Sequence, residues 1–167
     1  EGKTGNSVLL DRNAVTYLEG HREIPCEEQG GIYFLNRNKL SLYKPDSNEL
    51  TEVHQFDNVQ DVYVANDRLY ILDRSSNITI YNLLTQQEEK KLQYGDHASS
   101  IGADSKGRIY LAESNGNGDD YDLYLLSPEG TLLSQALSEE AVYGFCGFDE
   151  SNGNYYVDTY NNWRYWG

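Results

Sequence analysis

The 167 residues contain no methionine, two cysteines, three prolines and only 13 basic side chains against 27 acidic ones. No apolar run approaches the ~18 residues that a membrane-spanning helix needs, which excludes such a span. The first residues carry no basic stretch followed by an apolar one, as a secretion signal would. The chain opens at Glu1 rather than at a Met, which is expected of a processed mature chain or of a piece cut from a longer one. The expectation that follows is an extracellular or cell-surface protein.

The shortage of basic residues leaves a net charge of −14 and an isoelectric point near 4.4. Such a surface repels phosphate backbones and excludes a nucleic-acid partner. A cation, a basic partner or a neutral ligand is compatible with it. Cys26 and Cys146 lie too far apart in sequence for a zinc-binding pair. They read either as buried small apolar residues or as one long-range disulfide of an exported protein. No local context makes either a catalytic thiol.

What is abundant is tyrosine and glycine, fifteen of each. Tyrosine suits half-buried pleated surfaces and glycine suits tight turns. A short aromatic and branched phrase recurs as Ile32–Leu35, Leu69–Leu72, Ile109–Ala112 and Tyr155–Asp158, with starts 37, 40 and 46 residues apart. Short strands repeating at roughly 40–50 residues predict an all-β propeller or solenoid. A β-sandwich is the alternative, but it has no reason to repeat at this period.

The second copy is the clearest. Val59–Ala65 reads as a strand, Asn66-Asp67 as a tight turn, Leu69–Leu72 as the returning strand, Ile78–Tyr81 as a third and Glu89–Tyr94 as a polar outer one. The third copy runs through Ser99–Ala103, Arg108–Ala112, Tyr121–Leu126 and Thr131–Ala136. The fourth has Tyr143–Phe148, Asn154–Val157 and a last strand at Trp163–Gly167. The first has strands at Ile32–Leu35, Leu40–Tyr43 and Leu50–Phe56, with its inner strand expected at Ala14–Leu18. The fold class is therefore a β-propeller with four four-stranded blades visible, over about 14–56, 57–95, 96–138 and 139–167 plus 7–10. Either Ser7–Leu10 closes the last blade and completes a ring, which would be a monomer, or the chain is a fragment of a six- to eight-bladed propeller.

Ser100–Glu113, which runs from a small-residue strand through Asp104-Ser105-Lys106-Gly107 into Ile109-Tyr110-Leu111-Ala112-Glu113, resembles an NHL-type propeller repeat. Val59–Asp73 and Gly144–Asp158 resemble it more loosely. The resemblance implies the propeller fold and names no ligand.

Propeller ligands usually meet the loops on one face. The loops from second to third strands hold Arg37, Asp73, Arg74, Glu113, Asp158, Tyr160 and Trp163, and those from outer to inner strands hold Asp96 and His97. A carboxylate recurs at the end of the second strand as Asp73, Glu113 and Asp158. It reads either as an acceptor for the next turn's N–H groups or as part of a ring that binds a cation or a basic partner. Asn115, Asn117, Asp119, Asp120 and Asp122 alternate oxygen ligands on a glycine-rich loop, a pattern that suits calcium. Leu126 stands where an EF-hand would need its bidentate Glu, so the loop is either a calcium site of another kind or a solvated insertion. Asp96 and His97 are adjacent on an extended chain and point apart, which argues against a catalytic dyad.

Three function classes remain. The first is a non-enzymatic binding module that recognises a protein or carbohydrate ligand through its loop face, with exposed aromatics such as Tyr160 and Trp163 available for stacking. The second is a metal-dependent hydrolase or lyase, with Asp73, Asp96, His97, Glu113 and Asp158 around a divalent ion. The third is a structural propeller fragment whose open edges pair with another chain.

Overall fold

Alternating branched and aromatic residues bounded by polar turns fold here as the period-2 pattern requires. The computed structural model describes residues 22–26, 31–116, 120–159 and 163–166, with the backbone alone for 22–26 and 163–166. Fifteen strands are described, and among the described residues no helix is long and apolar enough to cross a membrane. By contacts the chain divides into two units, Glu1–Asp57 and Asn58–Gly167.

The first unit holds one antiparallel sheet in the order β1 (Arg22–Cys26), β2 (Gly31–Asn36), β3 (Lys39–Lys44) and β4 (Glu49–Gln55). Its inner strand is thus β1, which pairs Arg22–Cys26 with Leu35–Gly31. The stretch 14–18, expected in that place, lies outside the described residues. Pro25 obscures β1 in the sequence, since a residue with no N–H is tolerated only at an edge such as this one. Tyr33, Leu35, Leu40 and Leu42 are buried.

The second unit holds three sheets. The first contains β5 (Val59–Ala65), β6 (Arg68–Asp73), β7 (Asn77–Asn82) and β8 (Gln87–Gln93), in that order. Asn66 and Asp67 both have positive φ, 55° and 56°, as a two-residue hairpin turn of the primed type needs. The second contains β9 (Ala98–Ala103), β10 (Ile109–Ser114), β11 (Tyr121–Leu126) and β12 (Leu132–Ser138), again in sequence order. The third has β13 (Val142–Asp149), β14 (Asn154–Thr159) and β15 (Trp163–Trp166), three strands among the described residues. The strand expected to complete it, Ser7–Leu10, lies outside them.

Within the second unit the three sheets pack on one another through their first strands: β9 touches both β5 and β13. The side chains of β10 explain why. Ile109 and Leu111 join a buried cluster with Tyr70, Leu72, Ile78 and Ile80 of the preceding sheet. Tyr110 and Ala112, pointing the other way, join Phe145, Tyr155 and Val157 of the following one. Both faces of the strand are dry, so its phrase reads as an unbroken apolar run rather than an alternating one. The outer strands β8 and β12 are mostly exposed. Burying a Leu or Ile side chain of this kind contributes about 1.5–3 kcal/mol.

Candidate functional site

The loop end expected to carry ligands is built around the buried Ser76 (φ 61°). Its hydroxyl accepts the Ala98 N–H at 2.7 Å and its carbonyl accepts the Tyr94 N–H at 3.3 Å, which draws the 94–97 connector onto the β6–β7 turn. Asp73 caps that turn, accepting from the N–H groups of Ser75 and Asn77 (2.8 and 2.9 Å) and from the Asn77 amide (2.9 Å). The Glu113 carboxylate reaches back to the same connector. It accepts the N–H groups of Asp96, at 2.8 Å, and of His97. Gly95 has φ +75°, which favours glycine, and a Cβ there would lie 2.8 Å from a Glu113 oxygen and push that carboxylate aside.

The structure thus brings Asp73, Asp96, His97 and Glu113 to one end of the second unit. The Asp73 and Glu113 carboxylates, however, are engaged with backbone N–H groups. No group of three or more His, Cys, Asp or Glu that could hold a metal occurs among the described residues. Asp158 is exposed on β14, where its backbone partners are Gly144 and Trp163. Arg74 donates its N–H to the Asn58 carbonyl at 3.0 Å. Trp163 lies on β15, described in its backbone alone, and Tyr160 lies outside the described residues.

In the first unit Arg37 takes a left-handed φ of 54° in the β2–β3 turn. With Asn36, Asn38, Lys39 and Gln55 it lines a shallow cleft of about 420 Å³.

Of the proposed calcium ligands, Asn117 and Asp119 lie outside the described residues. Asn115 donates its N–H to the Asp120 carbonyl at 3.2 Å, and Asp122 accepts from the Gln135 amide at 3.5 Å. Cys146 stands on β13 as a free, exposed thiol rather than as a buried small apolar residue. Burial of its surroundings, and then the nearby Asp158 charge, push the thiol above its ordinary value. Cys26 is on β1, described in its backbone alone.

The opposite end carries a feature that reading along the chain did not assemble. A cleft of about 340 Å³ opens between the β5–β8 and β9–β12 sheets, lined by Asn66, Arg68, Glu89, Lys90, Lys106 and Pro128 among others. Its walls are tied together by the Asn66 amide, which donates to the Asp104 carbonyl at 2.8 Å, and by the Lys90 ammonium, 3.3 Å from the Pro128 carbonyl.

Arg68 forks onto Glu89 through Nε (2.7 Å) and Nη2 (3.2 Å) and donates Nη1 to the Asn66 carbonyl at 2.8 Å. The hydrogen bonds from Arg68 and Asn82 hold the Glu89 carboxyl below the ordinary carboxylate range. Lys106 is exposed and makes no ion pair among the described residues.

The turn that presents Lys106 is rigid because Asp104, 1% exposed, anchors it. The Asp104 carboxylate accepts from the N–H groups of Lys106 and Arg108 (both 3.0 Å), from Arg108 Nε (2.6 Å) and from the Tyr110 hydroxyl (3.2 Å). Such a carboxylate is compensated by charge-assisted bonds on several sides. Arg68 and Arg108 occupy the same place before their strands' apolar phrase, and that equivalence was the available sequence signal.

No family model matches the chain, and none of the curated proteins matches it. Solved structures do. The WD40 β-propeller domain of Doa1 aligns with a TM-score of 0.60 at 12% identity, covering 86% of this chain and 48% of that one. The WD40 domain of Toxoplasma gondii coronin gives 0.59 at 13%, covering 81% and 39%. BamB from Moraxella catarrhalis gives 0.57 at 10%, covering 81% and 39%. The chain spans less than half the length of each. These likenesses show the fold: all-β, built from four-stranded antiparallel sheets like those of β-propeller domains. Four sheets against half of such chains is consistent with a portion of a larger propeller.

Proposed function

We propose that the chain is a non-enzymatic β-propeller interaction module, of NHL-like repeat type, that binds a protein partner through the cleft between the β5–β8 and β9–β12 sheets. The cleft takes an acidic side chain of that partner. The observation that carries the reading is the convergence of Arg68, Lys90 and Lys106 on one cleft whose lining holds a single carboxylate, Glu89, in a chain of net charge −14. Glu129 lies beside it, 3.9 Å from Lys90, and Lys106 makes no ion pair among the described residues.

Two further points support it. Asp73 and Glu113 at the other end already serve the backbone, which weakens the hydrolase reading. Tyr70, the aromatic residue at the cleft, is only 2% exposed and offers no stacking platform for a sugar. The long-range repulsion of the acidic surface is screened beyond about 8 Å at physiological salt, so local charge decides the contact.

Calorimetric titration with a hexaglutamate peptide and, separately, with a neutral oligosaccharide tests the proposal. The peptide binds, more weakly as salt rises, and Lys106→Glu lowers its affinity by about tenfold. Binding of the sugar alone, or peptide binding indifferent to Lys106→Glu, would overturn it.

A further inference from the structure

The outer strands of the sheets are not alike. β8 reads Gln-Glu-Glu-Lys-Lys-Leu-Gln, with Arg68–Glu89 and Lys91–Glu88 ion pairs along it. β4 carries Glu49 and Glu52. β12 reads Leu-Leu-Ser-Gln-Ala-Leu-Ser and has no charge at all. Leu132, Leu133 and Leu137 on it are 40%, 53% and 58% exposed. Proteins normally blunt a sheet edge with charged residues or proline, because an unpaired edge is a template for another strand. β12 is the end strand of its sheet and lacks both devices.

A bulge interrupts its pairing with β11 at the Leu132–Ser134 end, but Ser134 to Ser138 pair residue by residue with Leu125 to Tyr121. That stretch presents a regular edge with no strand beside it among the described residues. The strand is bracketed by exposed carboxylates, Glu129 in the preceding hairpin, which lies 3.9 Å from the Lys90 ammonium with most of its side chain still open to solvent, and Glu139 just beyond its end.

We propose that β12 accepts an extended peptide segment of a partner protein as a fifth strand of its sheet. The segment has apolar residues at alternate positions, to cover Leu137 on the regular stretch and Leu133 at the bulge, and a Lys or Arg at each end, to meet Glu129 and Glu139. Main-chain bonds supply the attachment and the alternate side chains the selectivity, as in other strand-addition complexes. A second copy of the chain fits less well. Antiparallel pairing of two β12 strands would bring Glu129 of one towards Glu139 of the other, and like charges opposed across a sheet repel. The site adjoins the acidic-ligand cleft through the Lys90–Glu129 pair at 3.9 Å, but it does not rest on that reading.

The test is fluorescence anisotropy of the full chain with a labelled nonapeptide, Lys-Leu-Thr-Val-Thr-Val-Thr-Leu-Lys, and with its counterpart bearing Glu at both ends. The basic-ended peptide binds at least tenfold more tightly than the acidic-ended one. Leu137→Lys, which restores an edge charge, lowers its affinity at least tenfold. Glu139→Lys narrows the difference between the two peptides and, at an exposed position, serves as a second variant should Leu137→Lys fold poorly. No binding, equal binding of both peptides, or binding unchanged by both substitutions overturns the proposal. So does sedimentation showing a dimer that Leu137→Lys dissociates, which would make a second copy the occupant.

Discussion

The Tyr155 hydroxyl donates to the Ala103 carbonyl at 3.0 Å, fastening the β13–β15 sheet to the innermost strand of the one before it. The ring can reach that carbonyl only because the neighbouring residue is Gly102. A Cβ at 102 would lie 2.5 Å from the Tyr155 oxygen and 2.7 Å from the Phe145 Cβ. Gly102→Ala therefore overpacks the seam, and urea unfolding should show a loss of about 1–3 kcal/mol. Tyr155→Phe keeps the ring and leaves the carbonyl unpaired, for a loss of about 1–2 kcal/mol. The two changes touch each other, so the double variant should lose less than the sum.

Stability should also fall steeply in alkali. Burial first, and then its contact with Tyr63, push the Tyr155 phenol far above its ordinary value. Tyr110 is pushed up to about 12 by burial and the Asp104 charge, and Tyr124 to about 12 by burial and the charges of Asp122 and Glu113. These folded values exceed the unfolded one near 10. The folded state therefore holds its phenolic protons where the unfolded state releases them, and unfolding gains as pH rises from 10 towards 12. Thermal melts between pH 8 and 12 should show that decline, shallower in Tyr155→Phe. At the acid end the sign reverses. Glu89 and Asp149 are held below their ordinary 4.5 and 3.8 by hydrogen bonds, so what they contribute is present above those values and lost below them.

Glu113 distinguishes a structural carboxylate from a metal ligand. Glu113→Ala strips the acceptor from the N–H groups of Asp96 and His97. It should cost about 1 kcal/mol and speed hydrogen exchange at those two amides. Calcium calorimetry should give the same result before and after the change. A binding heat lost with Glu113 would instead support the metal-centre reading.

Cys146 bears on the disulfide alternative. As a free, exposed thiol on β13 it should titrate with a thiol reagent in the native, unreduced protein. Its raised value means the rate should climb with pH later than that of an unperturbed cysteine. Two thiols still silent after the unreduced protein is unfolded would establish the Cys26–Cys146 bridge, which in the chain-entropy model would contribute about 4–5 kcal/mol.

Most strands were legible because each obeys one local rule. β5 and β6 are apolar runs flanking Asn66-Asp67, and these two residues tolerate the positive φ that the turn requires. β1 was not legible, since Arg22, Glu23 and Pro25 break the apolar pattern and only pairing with β2 makes the segment a strand. Asp104 was readable as a turn residue, but its burial beneath Arg108 and Tyr110 was not. The cleft escaped for a different reason. Arg68 and Lys90 come from different strands of one sheet, and Lys106, close to one repeat beyond Arg68, faces them across a sheet boundary. Carboxylates at strand ends drew attention instead because they recur, and they recur at Asp73 because that turn needs a cap.

The claim that ligands meet the first-to-second-strand end, rather than the loop end around Ser76, is tested most directly by amide NMR. The measurement is a hexaglutamate titration of the labelled chain at low salt. The account predicts saturable shifts at Asn66, Arg68, Lys106 and Gly107, and their loss in Lys106→Glu. Shifts confined to Asp73, Asp96, His97 and Asp158, or none at all, would contradict it.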